Sequence, residues 1–302
     1  MVPGLTAQFI DSSPGSHVPD TRTDYFLFSD SPSLSREKED TLAHCTGGDF
    51  RWIEAGAGEP VVLLHGLMGQ AKHWQPTLDA LAPFYRPTAL ELPILDAALP
   101  EHSLTGLTEY VRRFLDRQGY EKVVLGGNSL GGHIALELAF ALPDRVSGLV
   151  LAGSSGLFER SFTRGVPHRP NAAWVREKME EVFFDPGQVT INWVESVEEV
   201  LADRRSTLYL IQVARSAKTR NIESFLPTLP MPTCLIWGED DLITPPEVAR
   251  RFDALIPRAA LYLLSRCGHA PMIERPALFN WTLAYWLRHV RWMQPQAAEV
   301  AA

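Results

Sequence analysis

From Asp49 onward the chain alternates short apolar runs with stretches in which apolar positions recur every three or four residues. The runs FRWIEAG, PVVLLHG, RPTALELP, KVVLGGNS and SGLVLAGSS are too short for helices and are bounded by Gly or Pro, the signature of buried strands. Between them, LTEYVRRFLDRQG and HIALELAFALP carry the helical period, and Pro143 stops the second. Strand and helix in alternation predict an α/β fold with a parallel sheet, because parallel neighbours need a crossover long enough to hold a helix. The first run leads into the turn-forming AGAGEP and predicts an antiparallel partner.

After Gly156 the rhythm changes. NAAWVREKMEEVFF, INWVESVEEVLADRR and STLYLIQVARSAK follow one another with helical spacing and no strand between them, so residues 157–226 are expected to be a helical insertion. The alternation resumes with PTCLIWGEDD, the helix VARRFDALI, the strand ALYLLSRCGH and the helix ALFNWTLAYWLRHV. The core is thus expected in two pieces, residues 49–156 and 227–292, interrupted by the insertion. Residues 1–48 are rich in Ser, Pro, Thr and Asp and show no sustained period, so they are expected to be irregular, with DYFLF their one hint of a strand. The tail 293–302 is expected to fray, and no period repeats along the chain.

Composition narrows the function more than the fold. A 302-residue chain that is 45% apolar can bury a full core without disulfide staples. Its net charge of -8 argues against nucleic acid, whose phosphates require a basic face. The three cysteines, Cys45, Cys234 and Cys267, cannot all pair and form no C-x-x-C. They fit a reducing, cytoplasmic setting. The amino terminus lacks the basic stretch and apolar run of a secretory signal, and no apolar run is long enough to span a bilayer. The histidines are scattered and no H-E-x-x-H occurs, so neither metal nor cofactor is expected, and the expected partner is a small-molecule substrate. Sequence leaves the oligomeric state open.

Candidate chemistry begins at Gly127-Asn128-Ser129-Leu130-Gly131, which follows one apolar run and opens a helix. That context turns a glycine-rich pentapeptide into a nucleophile elbow: a sharp strand-to-helix turn lifts the serine hydroxyl into a cleft, and the flanking glycines leave room for it. The N-terminus of the following helix favours the anion formed on attack. The plainer reading, a tight glycine turn, leaves the strand and helix on either side unexplained. Serine needs a base and an oriented third group. His269, in the Gly-rich turn CGHAPMIERP after the last strand, is the candidate base. His133 and His289 lie within helices and read as packing or surface residues, while His17, His44, His102 and His168 fall in polar loops. The orienting acid is expected after the preceding strand, where Glu239, Asp240 and Asp241 run together and any two would be solvated. The loop His65-Gly66-Leu67-Met68-Gly69 follows an apolar strand and would supply one backbone donor to an oxyanion hole, with the Leu130 amide as the second. His65 itself reads as structural.

Taken together, HGLMG, GNSLGG, PDRVSGLVL, WGEDDLITP and GHAPMIERP resemble the α/β-hydrolase superfamily over about Asp49 to Arg291. The resemblance implies a mostly parallel eight-stranded sheet flanked by helices, with a helical cap inserted after strand 6. The family pattern W-G-x-x-D places the acid at Asp241, G-H-x-P-x-x-E-x-P places the base at His269, and the residue after HG places the oxyanion donor at Leu67. GNSLGGH with a single cap is similar to carboxylesterases and to hydrolases that cleave carbon-carbon bonds in ring-fission diketones. The latter commonly carry Trp after the catalytic histidine and a glycine-rich stretch after HG, where this chain has Ala270 and Leu67-Met68. The expected activity is therefore hydrolysis of a small carboxylic ester through an acyl-enzyme, with carbon-carbon cleavage as the alternative. From another class, a non-catalytic small-molecule receptor can share this fold. Arg160, Arg164, Arg169 and Arg220 in the insertion could greet an acidic substrate, although arginines on a helical lid are usually solvated or paired.

Overall fold

A computed structural model of the chain describes residues 42–159 and 171–291. Eight strands form one sheet: β1 (Ala43–Gly47), β2 (Phe50–Glu54), β3 (Pro60–Leu64), β4 (Arg86–Leu90), β5 (Val123–Asn128), β6 (Val146–Ala152), β7 (Thr233–Gly238) and β8 (Ala259–Leu264). They lie in the order β1-β2-β4-β3-β5-β6-β7-β8. β2 runs antiparallel to both β1 and β4, and every pairing from β4 through β3 to β8 is parallel. The antiparallel expectation for FRWIEAG therefore holds. β1 starts before Asp49, inside the stretch read as irregular, and places His44 on an exposed strand rather than in a loop. Cys45, Thr46 and their neighbours show no apolar run because an edge strand half in solvent needs none. DYFLF and the tail 293–302 lie outside the described residues.

Helices cover both faces of the sheet. The pleat sends Val62 and Leu64 to one side, with Leu107, Val111 and Phe114 of α2 (Leu104–Arg117), Ile134 and Leu138 of α3 (Leu130–Ala141) and Phe252 of α7 (Pro246–Leu255). Val61 and Leu63 face the other, with Leu78 and Leu81 of α1 (Gln75–Leu81) and Phe279 and Leu283 of α9 (Pro276–Tyr285). Two-sided burial is why these strands read as continuous apolar runs rather than alternating ones. A short helix, α8 (Pro271–Glu274), precedes α9. α1 was not foreseen, because QPTLDAL is barely two turns long and buries only Thr77, Leu78 and Leu81, too few positions to establish a period.

Between β6 and β7 the insertion contributes α4 (Ala172–Glu180), α5 (Ile191–Ala202) and α6 (Arg204–Thr219). Each starts at a polar cap: Asn171, Thr190 and Asp203 accept hydrogen bonds through their side chains from the amides of Trp174, Trp193 and Ser206. Their apolar positions, among them Val175, Val194 and Val213, are fully buried, so these helices have a definite inner side. Among the described residues no helix is long and apolar enough to cross a membrane.

Candidate active site

The parallel strands end on one edge of the sheet, and the loops leaving β3, β5, β7 and β8 bring the sequence candidates together there. Ser129 links β5 to α3 with φ 54° and ψ -118°, a conformation that L-residues rarely adopt and that the surroundings must enforce. Two contacts show how. A Cβ on Gly131 would lie 2.3 Å from the Leu64 carbonyl oxygen, and one on Gly127 would lie 2.6 Å from that of Gly131, so strand and helix meet backbone to backbone. The Ser129 amide donates to the Ala152 carbonyl at 3.0 Å, and the Ser129 carbonyl accepts from the His133 and Ser155 amides at 3.1 and 3.2 Å.

His269 Nδ1 lies 2.9 Å from Asp241 Oδ2, with Asp241 2% exposed and His269 5%. A carboxylate only accepts, so the proton of the imidazole sits on Nδ1 and Nε2 is left as an acceptor. Asp241 is itself saturated: Oδ1 accepts from the Ile243 and Thr244 amides at 2.8 and 2.9 Å, and Thr244 Oγ1 donates to Oδ2 at 3.0 Å. Asp240, one place earlier, is exposed and, among the described residues, its side chain accepts only the Cys267 amide, at 3.3 Å. Glu239 is exposed too.

The loop after β3 runs beside the elbow, where a Cβ on Gly66 would lie 3.3 Å from Ser129 Cβ. Neither the Leu67 nor the Leu130 amide donates a hydrogen bond to another group among the described residues. His65 keeps this loop in place. Its Nε2 accepts from the Leu92 amide at 2.9 Å, which leaves Nδ1 to donate to the Gly66 carbonyl at 2.8 Å.

Ser129 and His269 open on a shared cavity of about 220 Å³. The insertion lines much of it, through Trp174 and Met179 of α4, Trp193 and Val197 of α5 and Leu210 of α6, and Leu67 and Met68 line it from the loop after β3. Lys178 also lines it, but its ammonium is held by Glu181. Of the four arginines considered for an acidic substrate, Arg220 pairs with Glu137 through Nε at 2.7 Å, while Arg160, Arg164 and Arg169 lie outside the described residues.

The family model for the alpha/beta hydrolase family matches residues 61–280. The chain belongs to the alpha/beta hydrolase family. Among curated relatives, this hydrolase is 30% identical over 260 residues to the dihydrolipoyllysine-residue acetyltransferase component of an acetoin cleaving system from Pseudomonas putida, covering 82% of this chain and 68% of that one. It is also 30% identical to a 2-hydroxy-6-oxo-6-(2'-aminophenyl)hexa-2,4-dienoic acid hydrolase from Metapseudomonas resinovorans, covering 79% and 88% of the two chains. Among solved structures, an alpha/beta hydrolase enzyme from the metagenome of sediments of the Mar Chica lagoon, Morocco, is 36% identical, with a TM-score of 0.66 over 82% of this chain and 98% of that one.

Two residues of the hydrolase's site escaped the sequence reading. Asn128 donates through Nδ2 to the carbonyls of Ala152 and His269 at 2.9 and 2.8 Å, tying the elbow to the histidine loop. Thr244 donates through its hydroxyl to Asp241 Oδ2, the oxygen that meets His269 Nδ1, and that hydroxyl lies 3.3 Å from Nδ1. Thr244 follows Asp241 by three places, the offset at which an Asp side chain commonly caps a turn, and that was the available signal. Asn128 gave none. His133 proves to be a packing residue, fully buried on α3, where burial lowers its pKa to about 4. His102, read as a loop residue without a partner, stacks on Tyr209 of α6 at 3.5 Å between ring centroids.

Proposed function

We propose that the protein is a serine hydrolase of small carboxylic esters, working through an acyl-enzyme. Ser129 Oγ attacks the acyl carbon while His269 Nε2 takes its proton, and Asp241 steadies the imidazolium through Nδ1. The carbonyl electron pair moves to oxygen, where the Leu67 and Leu130 amides and the α3 N-terminus hold the oxyanion. When that pair returns, the ester oxygen leaves with the proton from His269. Water, deprotonated by the same histidine, then attacks the acyl-enzyme and releases the acid and Ser129.

The observation that carries this reading is the hydrogen-bonded Asp241–His269 pair beside a serine held at an enforced φ of 54°, both serine and histidine opening on one apolar cavity. α4 to α6 serve as a cap that excludes water from the acyl group. The three cysteines are free thiols, in keeping with a reducing, cytoplasmic setting.

Carbon-carbon cleavage of a ring-fission product is the second reading, favoured by the 30% identity to the Metapseudomonas enzyme. Against it stand Ala270 after the histidine and, among the described residues, a cavity lining whose one Lys or Arg, Lys178, is already engaged, whereas a dienoic acid brings a carboxylate that needs a cation. A fluorophosphonate probe is expected to label Ser129, and Ser129→Ala to abolish both labelling and hydrolysis of p-nitrophenyl acetate. Turnover of a ring-fission diketone with none of the ester would favour the second reading. Turnover of neither, with no labelling, would point to a binding protein.

A further inference from the structure

The motif that placed the base at His269 also contains Glu274, to which the mechanism assigns no task. Glu274 ends α8 and is 9% exposed, and its carboxylate partners are two backbone amides. Oε2 accepts from Gly268, the residue before the base, at 2.6 Å. Oε1 accepts from Asp185, in the insertion just after α4, at 2.7 Å. Beside this bridge the His269 amide donates to the Val182 carbonyl at 2.7 Å. The two main chains are in direct contact, since a Cβ on Gly268 would lie 2.4 Å from the Val182 oxygen and 2.9 Å from Phe183 Cα. Val182 and Phe183 line the cavity together with His269.

From this we infer that Glu274 is a positioning residue, one carboxylate that fastens the insertion's 182–185 segment to the loop bearing the base and so fixes where His269 stands over Ser129. Both oxygens face donors, and a carboxylate suits that place because it accepts on each side and donates on neither. An amide of the same shape supplies one acceptor and turns its NH₂ against the other N–H. A misplacement of about 1 Å can cost catalysis on the order of a hundredfold even when binding is kept. The binding surface, formed mostly by other residues, stays. The inference rests on the serine-hydrolase reading only for its kinetic readout.

The test compares Glu274→Gln and Glu274→Ala with the wild type. For p-nitrophenyl acetate, kcat is expected to fall about tenfold or more in Gln and further in Ala, with KM within about threefold. Fluorophosphonate labelling of Ser129 should slow in parallel. Folded variants whose kcat and labelling rate stay within twofold of wild type, with only the melting temperature lowered, would make Glu274 a plain loop anchor and overturn the inference. Two measurements stand apart from turnover. In the wild type, hydrogen exchange should protect the Gly268 and Asp185 amides together, and fast exchange at either would refute the bridge even if neither variant folds. In Glu274→Gln, the low-field proton resonance of His269 Nδ1–H should shift or broaden, and an unchanged resonance would count against the inference. Absence of labelling and ester turnover in the wild type itself would instead remove the esterase reading, leaving the exchange and resonance measurements to decide the role of Glu274.

Discussion

Replacing Asp241 by Asn tests the geometry of the site more sharply than deleting the nucleophile, because Asp240 next door provides its own control. Asp241 Oδ2 faces two donors, His269 Nδ1 and the Thr244 hydroxyl, and Oδ1 faces two more, the Ile243 and Thr244 amides. An asparagine has one acceptor and one donor end, so either orientation sets its NH₂ against a pair of donors. With NH₂ towards the backbone, two buried amides lose their acceptor at about 1–3 kcal/mol each. With NH₂ towards His269, the conflict is relieved if the imidazole moves its proton to Nε2 and the Thr244 hydroxyl rotates away. That leaves a donor facing Ser129 where an acceptor is needed. The second orientation is the cheaper, so the fold should survive while the base is lost. In the serine-protease example this substitution lowers kcat by about 10⁴-fold, roughly 5.5 kcal/mol at about 1.4 kcal/mol per decade. Asp240→Asn removes only the charge behind one 3.3 Å contact at an exposed carboxylate and should cost less than about tenfold. The assay is steady-state hydrolysis of p-nitrophenyl acetate by both purified variants, with near-ultraviolet circular dichroism to show that each is folded. If Asp240→Asn were the more damaging, the orienting acid would be Asp240 and the reasoning would fail.

Gly131→Ala sets a methyl 2.3 Å from the Leu64 oxygen, which cannot yield without moving β3 and the loop behind it, so loss of a few kcal/mol of stability or failure to fold is expected by urea denaturation. His133, whose pKa burial depresses to about 4, is neutral in the fold, and the unfolded chain binds the extra proton first. Stability from this residue is therefore complete above about pH 6.5 and declines as pH falls towards 4, by roughly 3 kcal/mol at 1.36 kcal/mol per pKa unit. Urea midpoints measured from pH 7 to 4.5 should fall, and a folded His133→Gln should flatten that slope. Equal slopes in the two proteins would refute the assignment.

The α/β class, the mostly parallel sheet and the alternation of strands with helices follow from local patterns in the chain. Buried strands announce themselves as continuous apolar runs, helices by their period, and the elbow by glycines around a serine between the two. The convergence of residues 129, 241 and 269 was legible because each follows the end of a strand, and a parallel sheet puts all those ends on one edge. What sequence left open is what depends on contact between distant segments. Among Glu239, Asp240 and Asp241 the residues alone gave no choice, and the choice comes from which side chain is turned inward to meet His269 and the Thr244 turn. The tasks of Asn128 and Glu274 have no local signature, since a side chain that bridges two backbones separated by many residues leaves no period behind. β1 and α1 were missed for the same reason: an edge strand is stabilised by the ladder with β2, and a short, half-exposed helix by the packing of Leu78 and Leu81 against the sheet. Local periodicity records how each segment meets the core, and only the tertiary structure records which segments meet each other.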